Sequence, residues 1–391
     1  MEIKRLGEIA SLVRGVSYKP EDLHNALDEN SIILLKNNNI NEDGTISFEN
    51  VVYVDRSNVS DEQLLKKGDI IVCASGSESL VGKSAAFNLE GEYTFGAFCK
   101  VVRPVSINSG YLEMFFLSSK YRADISLMAQ GAIMKNLRNE HLLNLKIECP
   151  HLNEQLYKNE ILSSVLKLIK FRKKQIGLLD NLLKSKFVEI FISSNSAWQY
   201  VTIKDVCLDA RTGPFGSALH HDEFVDKGVF VLGIDNAVDN KFSFNKMRFI
   251  TEKKYQELKR YTVHSGDVII TIMGTIGRSA IIPNNMPLAI NTKHLACLTP
   301  DYSKVNSVFL CSLFQMHPEI QYQLTGNAKG AIMDGLNLGI IKNLKFRLPP
   351  LKEQNEFALI YSQINKIKTV VQKALDEAQL LFDSLMQQYF G

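Results

Sequence analysis

Apolar residues fall in short runs bounded by Asn, Gly and Asp. SIILLK, VVYVD, GDIIVCA and CKVVRP lie early in the chain, and VFVLGI, MRFI, GDVIITIM and HLACLTP lie later. Some of these alternate with polar residues and others run unbroken, and both patterns predict strands with at least one buried face. A helical period replaces them in SGYLEMFFLSSKYRADISLMAQ and again in KVNSVFLCSLFQMHPEIQYQL. Each half of the chain therefore predicts an α+β domain with a strand-rich core. After each domain the texture changes. Residues 153–192 contain no Pro and one Gly, and place Ile169, Ile176, Leu179, Leu183, Phe187 and Ile190 at steps of 7, 3, 4, 4 and 3. Residues 352–390 place Ile360, Ile364, Ile367, Val371, Ala374, Ala378, Leu381 and Leu385 at alternating steps of 4 and 3. These are heptad seams, and forty helical residues span about 60 Å. The expected order is a domain over 1–150, a helix over 151–195, a domain over 196–349 and a helix over 350–391. ISSNSAW (192–198) is the expected hinge.

The two halves are copies. GAIMKNLRNEHLLNLKIECPHLNEQ (131–155) returns as GAIMDGLNLGIIKNLKFRLPPLKEQ (330–354), offset by 199 residues without a gap and with 12 of 25 positions identical. Upstream, KKGDIIVCASGSESLVGKSAAF answers to HSGDVIITIMGTIGRSAII, and the chain start LGEIASLVRG answers more weakly to IKDVCLDARTG. Such spacing marks a tandem duplication rather than a solenoid. A duplicated chain with two seams predicts helices that pack on each other in a body of pseudo-two-fold symmetry.

The duplication settles one false lead. GSESLVGKSA ends in Gly-Lys-Ser like a phosphate-binding loop, but that motif needs a glycine five before Gly82, where Ser77 stands. The second copy also shortens the loop and writes Gly277-Arg278-Ser279. A phosphate cradle could not be redrawn so freely. The element reads instead as a hairpin whose turn presents Lys83 in one copy and Arg278 in the other.

Composition adds bounds. With 391 residues, 45% hydrophobic and 22% charged, the chain is of ordinary globular type and long enough for two or three domains. Its start has no apolar leader core and no run approaches a membrane span, so a cytoplasmic location is expected. Six scattered cysteines without a C-x-x-C pair point to reduced thiols rather than a disulfide frame or a zinc site. A net charge of +3 allows nucleic-acid binding through a local face without arguing for it. Lys167, Lys170, Arg172, Lys173 and Lys174 make the first helix basic, which reads equally as a solvated face or an anchor. No G-x-S-x-G or H-E-x-x-H appears. The amino-methyltransferase tetrapeptide is missing, since Leu348-Pro349-Pro350-Leu351 has no polar first residue. A nuclease-like acid cluster is missing too. The chain is expected to catalyse nothing and to hold no cofactor or metal.

Two variable domains, each closed by Pro-x-x-Glu-Gln and a long helix, resemble the specificity subunit of type I restriction–modification systems. ARTGPFGSALHHDEF (210–224) is similar to the start of that family's target recognition domain, and G-D-x-x-x…G-[KR]-S-A is typical of it. The first domain's LVRGVSYKPEDL lacks the Gly-Pro-Phe-Gly string. The resemblance implies two target recognition domains that grip the halves of a split, asymmetric DNA target, with the helices paired antiparallel as a spacer. It implies two methyltransferase subunits as partners and two motor/nuclease subunits in the full complex. Those partners would carry the S-adenosylmethionine, ATP and Mg sites. Candidate DNA-binding residues are the basic, polar or aromatic ones on glycine-marked loops. In the first domain they are Arg14, Tyr18, Lys19, Lys36, Lys83, Lys135 and Arg138. In the second they are Arg211, Thr212, Phe215, Ser217, His220, Lys241, Arg278, Lys293 and Lys329. The rival readings are a self-contained DNA methyltransferase or nuclease, and a non-catalytic scaffold that binds only protein.

Overall fold

The computed structural model describes residues 2–77, 79–128, 135–193, 198–215, 218–328 and 336–391, with the backbone alone at 135 and 327–328. The GAIM repeat of each half and most of the expected hinge lie outside these residues. The chain divides into two compact units, residues 1–173 with 373–391 and residues 174–372.

In the first unit, a four-stranded antiparallel sheet runs in the order Ala10–Arg14, Cys99–Pro104, Asp69–Cys73, Ser84–Phe87. A second sheet runs Leu23–His24, Val52–Asp55, Ser31–Leu35, Tyr93–Phe95, its last pair parallel. The second unit repeats the plan with Cys207–Thr212, Leu295–Pro300, Val268–Thr271, Ser279–Ile281. Its other sheet runs Phe249–Ile250, Val229–Leu232, Ala289–Asn291, Thr262–Val263, with the middle pair parallel. Three strands of this sheet correspond between units, while the fourth is added at opposite edges.

The unbroken apolar strands have a physical cause. Val268 and Ile270 pack into a cluster with Phe309, Leu313 and Phe314 of the helix Ser307–Met316. Ile269, pointing the other way, packs with Phe230 and Leu232 of the neighbouring sheet. A strand covered on both faces has no polar side to show. Each sequence stretch that reads as one helix is in fact two. Ser109–Leu117 and Ser119–Met128 break at Ser118, whose hydroxyl donates to the Phe115 carbonyl at 2.6 Å. Ser307–Met316 and Pro318–Ala328 break at His317, because the residue before a proline is pushed to extended backbone.

Two forty-residue helices, Leu152–Phe191 and Leu351–Phe390, follow the domains. In the first unit the start of one lies by the end of the other, with the Lys158 ammonium 5.2 Å over the Tyr389 ring. There Phe390 packs 5.1 Å from Tyr111 and 6.1 Å from Phe115. In the second unit the order reverses: Phe187 and Phe191 meet Phe357 at 5.4 and 5.3 Å, and Lys368 bonds Asp180. The helices therefore pair antiparallel. Ile169, Leu183 and Phe187 are buried as the first seam requires. The second seam needs correction. Phe357, Ile364, Val371, Leu375, Ala378, Phe382 and Met386 are buried, whereas Ile367 and Leu381 are each 51% exposed. A straight helix drifts from a strict heptad, so past Val371 the buried line takes Leu375, Phe382 and Met386 in place of Ala374, Leu381 and Leu385 while keeping Ala378.

Candidate nucleic-acid interface

The repeated motifs prove to be a framework. The aspartate of each Gly-Asp is 1% exposed and held by an arginine. In the first unit Arg103, on the strand Cys99–Pro104, donates to both Asp69 oxygens at 2.9 and 2.8 Å and to the carbonyls of Glu62 and Leu64. In the second unit Arg211 donates to Asp267 at 2.8 Å, to Asp209 at 2.7 Å and to the Thr262 carbonyl. Buried carboxylates persist only when paired and hydrogen-bonded. The sequence offered Arg211 as a DNA contact; instead it is an internal clamp, its side chain 13% exposed.

The Gly-Lys-Ser and Gly-Arg-Ser turns are alike in structure and unlike in presentation. Gly82 and Gly277 take φ of +83° and +81°, the left-handed backbone that favours glycine. The Ser84 hydroxyl donates to the Phe116 carbonyl and the Ser279 hydroxyl to the Cys311 carbonyl, each at 3.1 Å, tying the strand to the helix above it. Arg278 is exposed on its turn. Lys83 is not, correcting the expectation: its side chain is 15% exposed and lies 3.5 Å from Glu42. The glutamine of each Pro-x-x-Glu-Gln is a clasp. Gln155 accepts from the Asn108 N–H at 2.9 Å and donates to the Pro150 carbonyl at 2.8 Å. Gln354 accepts from the Asn306 N–H at 2.8 Å and donates to the carbonyls of Pro349 and Lys304 at 2.8 and 3.0 Å. Each long helix is thereby fastened to its own domain.

Above this framework the first unit has an open cleft of about 520 Å³, walled by Val16–Tyr18, Lys36–Asn38 and Gly96–Phe98. It brings together the expected Tyr18 and Lys36 and adds Asn37, Asn38 and the 62% exposed Phe98. The turn carrying the asparagines is pinned from below. Buried Asn39 accepts from the Lys36 N–H at 2.8 Å and donates to the Ser47 and Glu49 carbonyls. Arg14 is exposed at a strand end opposite Lys100. Burial, and next the Arg14 charge, push the Lys100 ammonium below its usual range, and it donates to the Leu137 carbonyl. Lys19 is exposed, 3.6 Å from Glu21, and Arg138 is exposed, 3.2 Å from Glu140. Lys135 is described through its backbone, which pairs with Gly76.

The second unit presents the corresponding face with other chemistry. Backbone pairing places Gly233, Ile234 and Asp235 where Lys36, Asn37 and Asn38 stand, and Thr292, Lys293 and His294 where Gly96, Ala97 and Phe98 stand. Phe215 is 54% exposed, and Lys293 and His220 are exposed too. Burial, with the charges of Lys293 and Arg248, holds His294 below the usual histidine range. Lys241 is exposed, and Thr212 is half-buried opposite Ala296. Ser217 and Lys329 lie outside the described residues. Sequence reading missed Arg248, whose guanidinium bonds Asp235. Their pairing across 13 positions leaves no local signal.

Among the described residues, no group of three His, Cys, Asp or Glu side chains could hold a metal ion, and no helix is long and apolar enough to cross a membrane. The type I restriction modification DNA specificity domain matches residues 1–179 and again residues 195–378. The chain belongs to that family. It is 27% identical over 400 residues to the StySPI specificity subunit of Salmonella potsdam, covering 97% of this chain and 85% of the relative. It is also 27% identical over 415 residues to the EcoKI specificity subunit of Escherichia coli strain K12, covering 98% and 86%. The fold is shared with the type I S subunit from M. genitalium at a TM-score of 0.64 and 15% identity, over 100% of this chain and 96% of that one. As a specificity subunit, the chain is a non-catalytic DNA-recognition component that works with other subunits.

Proposed function

We propose that the chain binds a two-part, asymmetric DNA target, one part for each domain, and docks the subunits that act on it. What carries this reading is the contrast within the duplication. The Gly-Asp aspartate, the turn glycine and serine, and the Pro-x-x-Glu-Gln glutamine recur from unit to unit, while the faces above them differ at nearly every equivalent position. A conserved scaffold under divergent faces suits two readers of unlike words. The domains are taken as 1–150 and 196–349, with spacer helices over 151–195 and 350–391. The cleft in the first domain and the Phe215–Lys293–Arg248 face in the second are the reading surfaces, with Arg14, Lys19 and Arg278 placed to meet phosphates.

The partners proposed are two methyltransferase subunits, with two motor/nuclease subunits in the full complex. Those subunits supply S-adenosylmethionine, ATP and Mg chemistry. Apolar side chains left outside the helix seam support docking there: Leu178 and Leu182 on the first long helix are 56% and 46% exposed, and Ile367 and Val370 on the second are 51% and 70% exposed. Such pairs one turn apart suit a partner helix. The helices also set the gap between half-sites. Inserting residues near 193–197 is expected to lengthen the gap by about one base pair and to leave both half-sites as they are.

Domain exchange tests the reading. With 199–349 replaced by the matching domain of a relative, the complex is expected to methylate a motif altered in one half only. A motif changed in both halves, or in neither, overturns independent readout. Methyl transfer by the purified chain without its partner would overturn the non-catalytic role.

A further inference from the structure

We infer that Arg248 reads a guanine in the second half of the DNA target, oriented for that task by Asp235 and given room by Gly233; the inference rests on the recognition role proposed above. Three positions change together between the units. Arg248 accepts the Val231 N–H at its carbonyl, at 2.8 Å, and so stands where Val52 pairs with Leu34 in the first unit. Where the second unit has Gly233, Asp235 and Arg248, the first has Lys36, Asn38 and Val52. The glycine leaves room for the guanidinium where it stands: a Cβ at Gly233 would lie 2.5 Å from the Arg248 Nη1, and the arginine tip would have to shift. The carboxylate is half-buried, and the hydrogen bond from Arg248 holds it below the usual carboxylate range, so the bonded pair keeps the guanidinium aimed.

The occupant follows from this geometry. The Arg248 side chain is 36% exposed, and its bond to Asp235 uses one of five N–H donors. The donors that remain match two adjacent acceptors in a plane, which is what guanine O6 and N7 present in the major groove. A phosphate would also accept them, but it would meet the Asp235 carboxylate at the tip of the same side chain, where like charges repel. Lys246, 3.9 Å from Asp235, and the exposed Lys293 supply positive charge for the DNA backbone. The first unit has no arginine–carboxylate pair at the matching positions, so guanine readout by this device belongs to the second half alone.

The test uses the chain in complex with its methyltransferase subunit. Sequencing of methylated DNA gives the motif, and the domain exchange above assigns its second half. Arg248→Lys keeps the charge and loses the planar fork. The expected result is that one guanine of the second half becomes degenerate, affinity for the motif falls about tenfold or more, and the first half keeps its letters. In the unmodified protein, duplexes with each second-half guanine replaced by 7-deazaguanine should bind more weakly at that one position, a readout that needs no variant to fold. A second half without guanine, insensitivity to every 7-deazaguanine, or an Arg248→Lys motif unchanged would overturn the inference while leaving the recognition role standing. An even loss across sequences in Arg248→Lys, with the log–log salt slope shallower by about 1 once the charge is removed in Arg248→Gln, would make Arg248 a phosphate contact instead and also overturn it. If the unmodified complex recovers no motif, the recognition role itself fails.

Discussion

Asp69 and Asp267 occupy the same place in the two units, each on the central strand behind a Gly-Asp turn and each also accepting a backbone N–H, from Lys66 at 2.8 Å and His264 at 2.9 Å. Their arginines come from different strands. Arg103 is supplied by the strand paired directly with Asp69's own, and the equivalent position in the second unit is Thr299. Arg211 comes from one strand further out, where the first unit has Val13. Both guanidinium groups reach the same carbonyl level, Leu64 in one and Thr262 in the other. The duplication thus preserved an electrostatic requirement rather than a residue. A buried carboxylate needs a cation, and the sheet offers two strands from which to deliver it.

The sharpest way to break this comparison is to remove a cation. Arg103→Ala and Arg211→Ala should each destabilise their unit by about 3–5 kcal/mol, because a carboxylate is left uncompensated in the interior. Urea unfolding of the full chain measures it, and a loss under about 1 kcal/mol would mean the pair is solvated. Relocation is the second test. Arg103→Thr combined with Val13→Arg rebuilds in the first unit the arrangement of the second, and should recover about half or more of the loss from Arg103→Thr alone, on the order of 2 kcal/mol. No recovery would show that the two geometries are not interchangeable.

Smaller effects sharpen the comparison elsewhere. Gln155→Ala and Gln354→Ala leave buried N–H and carbonyl groups without partners, at about 1–3 kcal/mol each. The second should cost more, since Gln354 makes three such bonds and Gln155 two. Equal losses would show that the Lys304 carbonyl finds water instead. Gly82→Ala and Gly277→Ala both place a side chain in left-handed backbone, at about 1–2 kcal/mol. The new Cβ at 82 would meet Ile125 Cγ2 at 2.5 Å, and the one at 277 would meet Leu324 Cδ1 at 3.3 Å. The first change should therefore lower the melting temperature more, and the reverse order would count against the packing described here.

The strands, the long helices and the repeat were legible in the sequence because burial writes its period into the chain. GDIIVCA and GDVIITIM announced central strands, and Pro-x-x-Glu-Gln marked the start of each long helix. The second seam was read one residue out at Ala374, Leu381 and Leu385, since alternating steps of 4 and 3 assume a period the helix does not keep. Side-chain roles were harder. Arg211 looks like any arginine before a Gly-Pro-Phe-Gly loop, and nothing local says that Asp267, 56 positions on, holds it. Lys83 looked presented because its turn is exposed in type, yet Glu42 draws it in. Arg248 and Asp235 become a pair only after two strands have fixed their register. Roles that depend on a partner across the sheet are not written in any window of sequence.

The ring of Phe390 sets a clock for synthesis. It packs against Tyr111 and Phe115, both almost wholly buried, in a unit whose other residues end at 173. A ribosome adding roughly 5–20 residues per second delivers that ring tens of seconds after its pocket has emerged. Through that interval the nascent first unit holds an uncovered aromatic surface while the whole second unit is being made. The first unit is thus completed only after the second has been made, and its aromatic surface stays uncovered until the second long helix arrives.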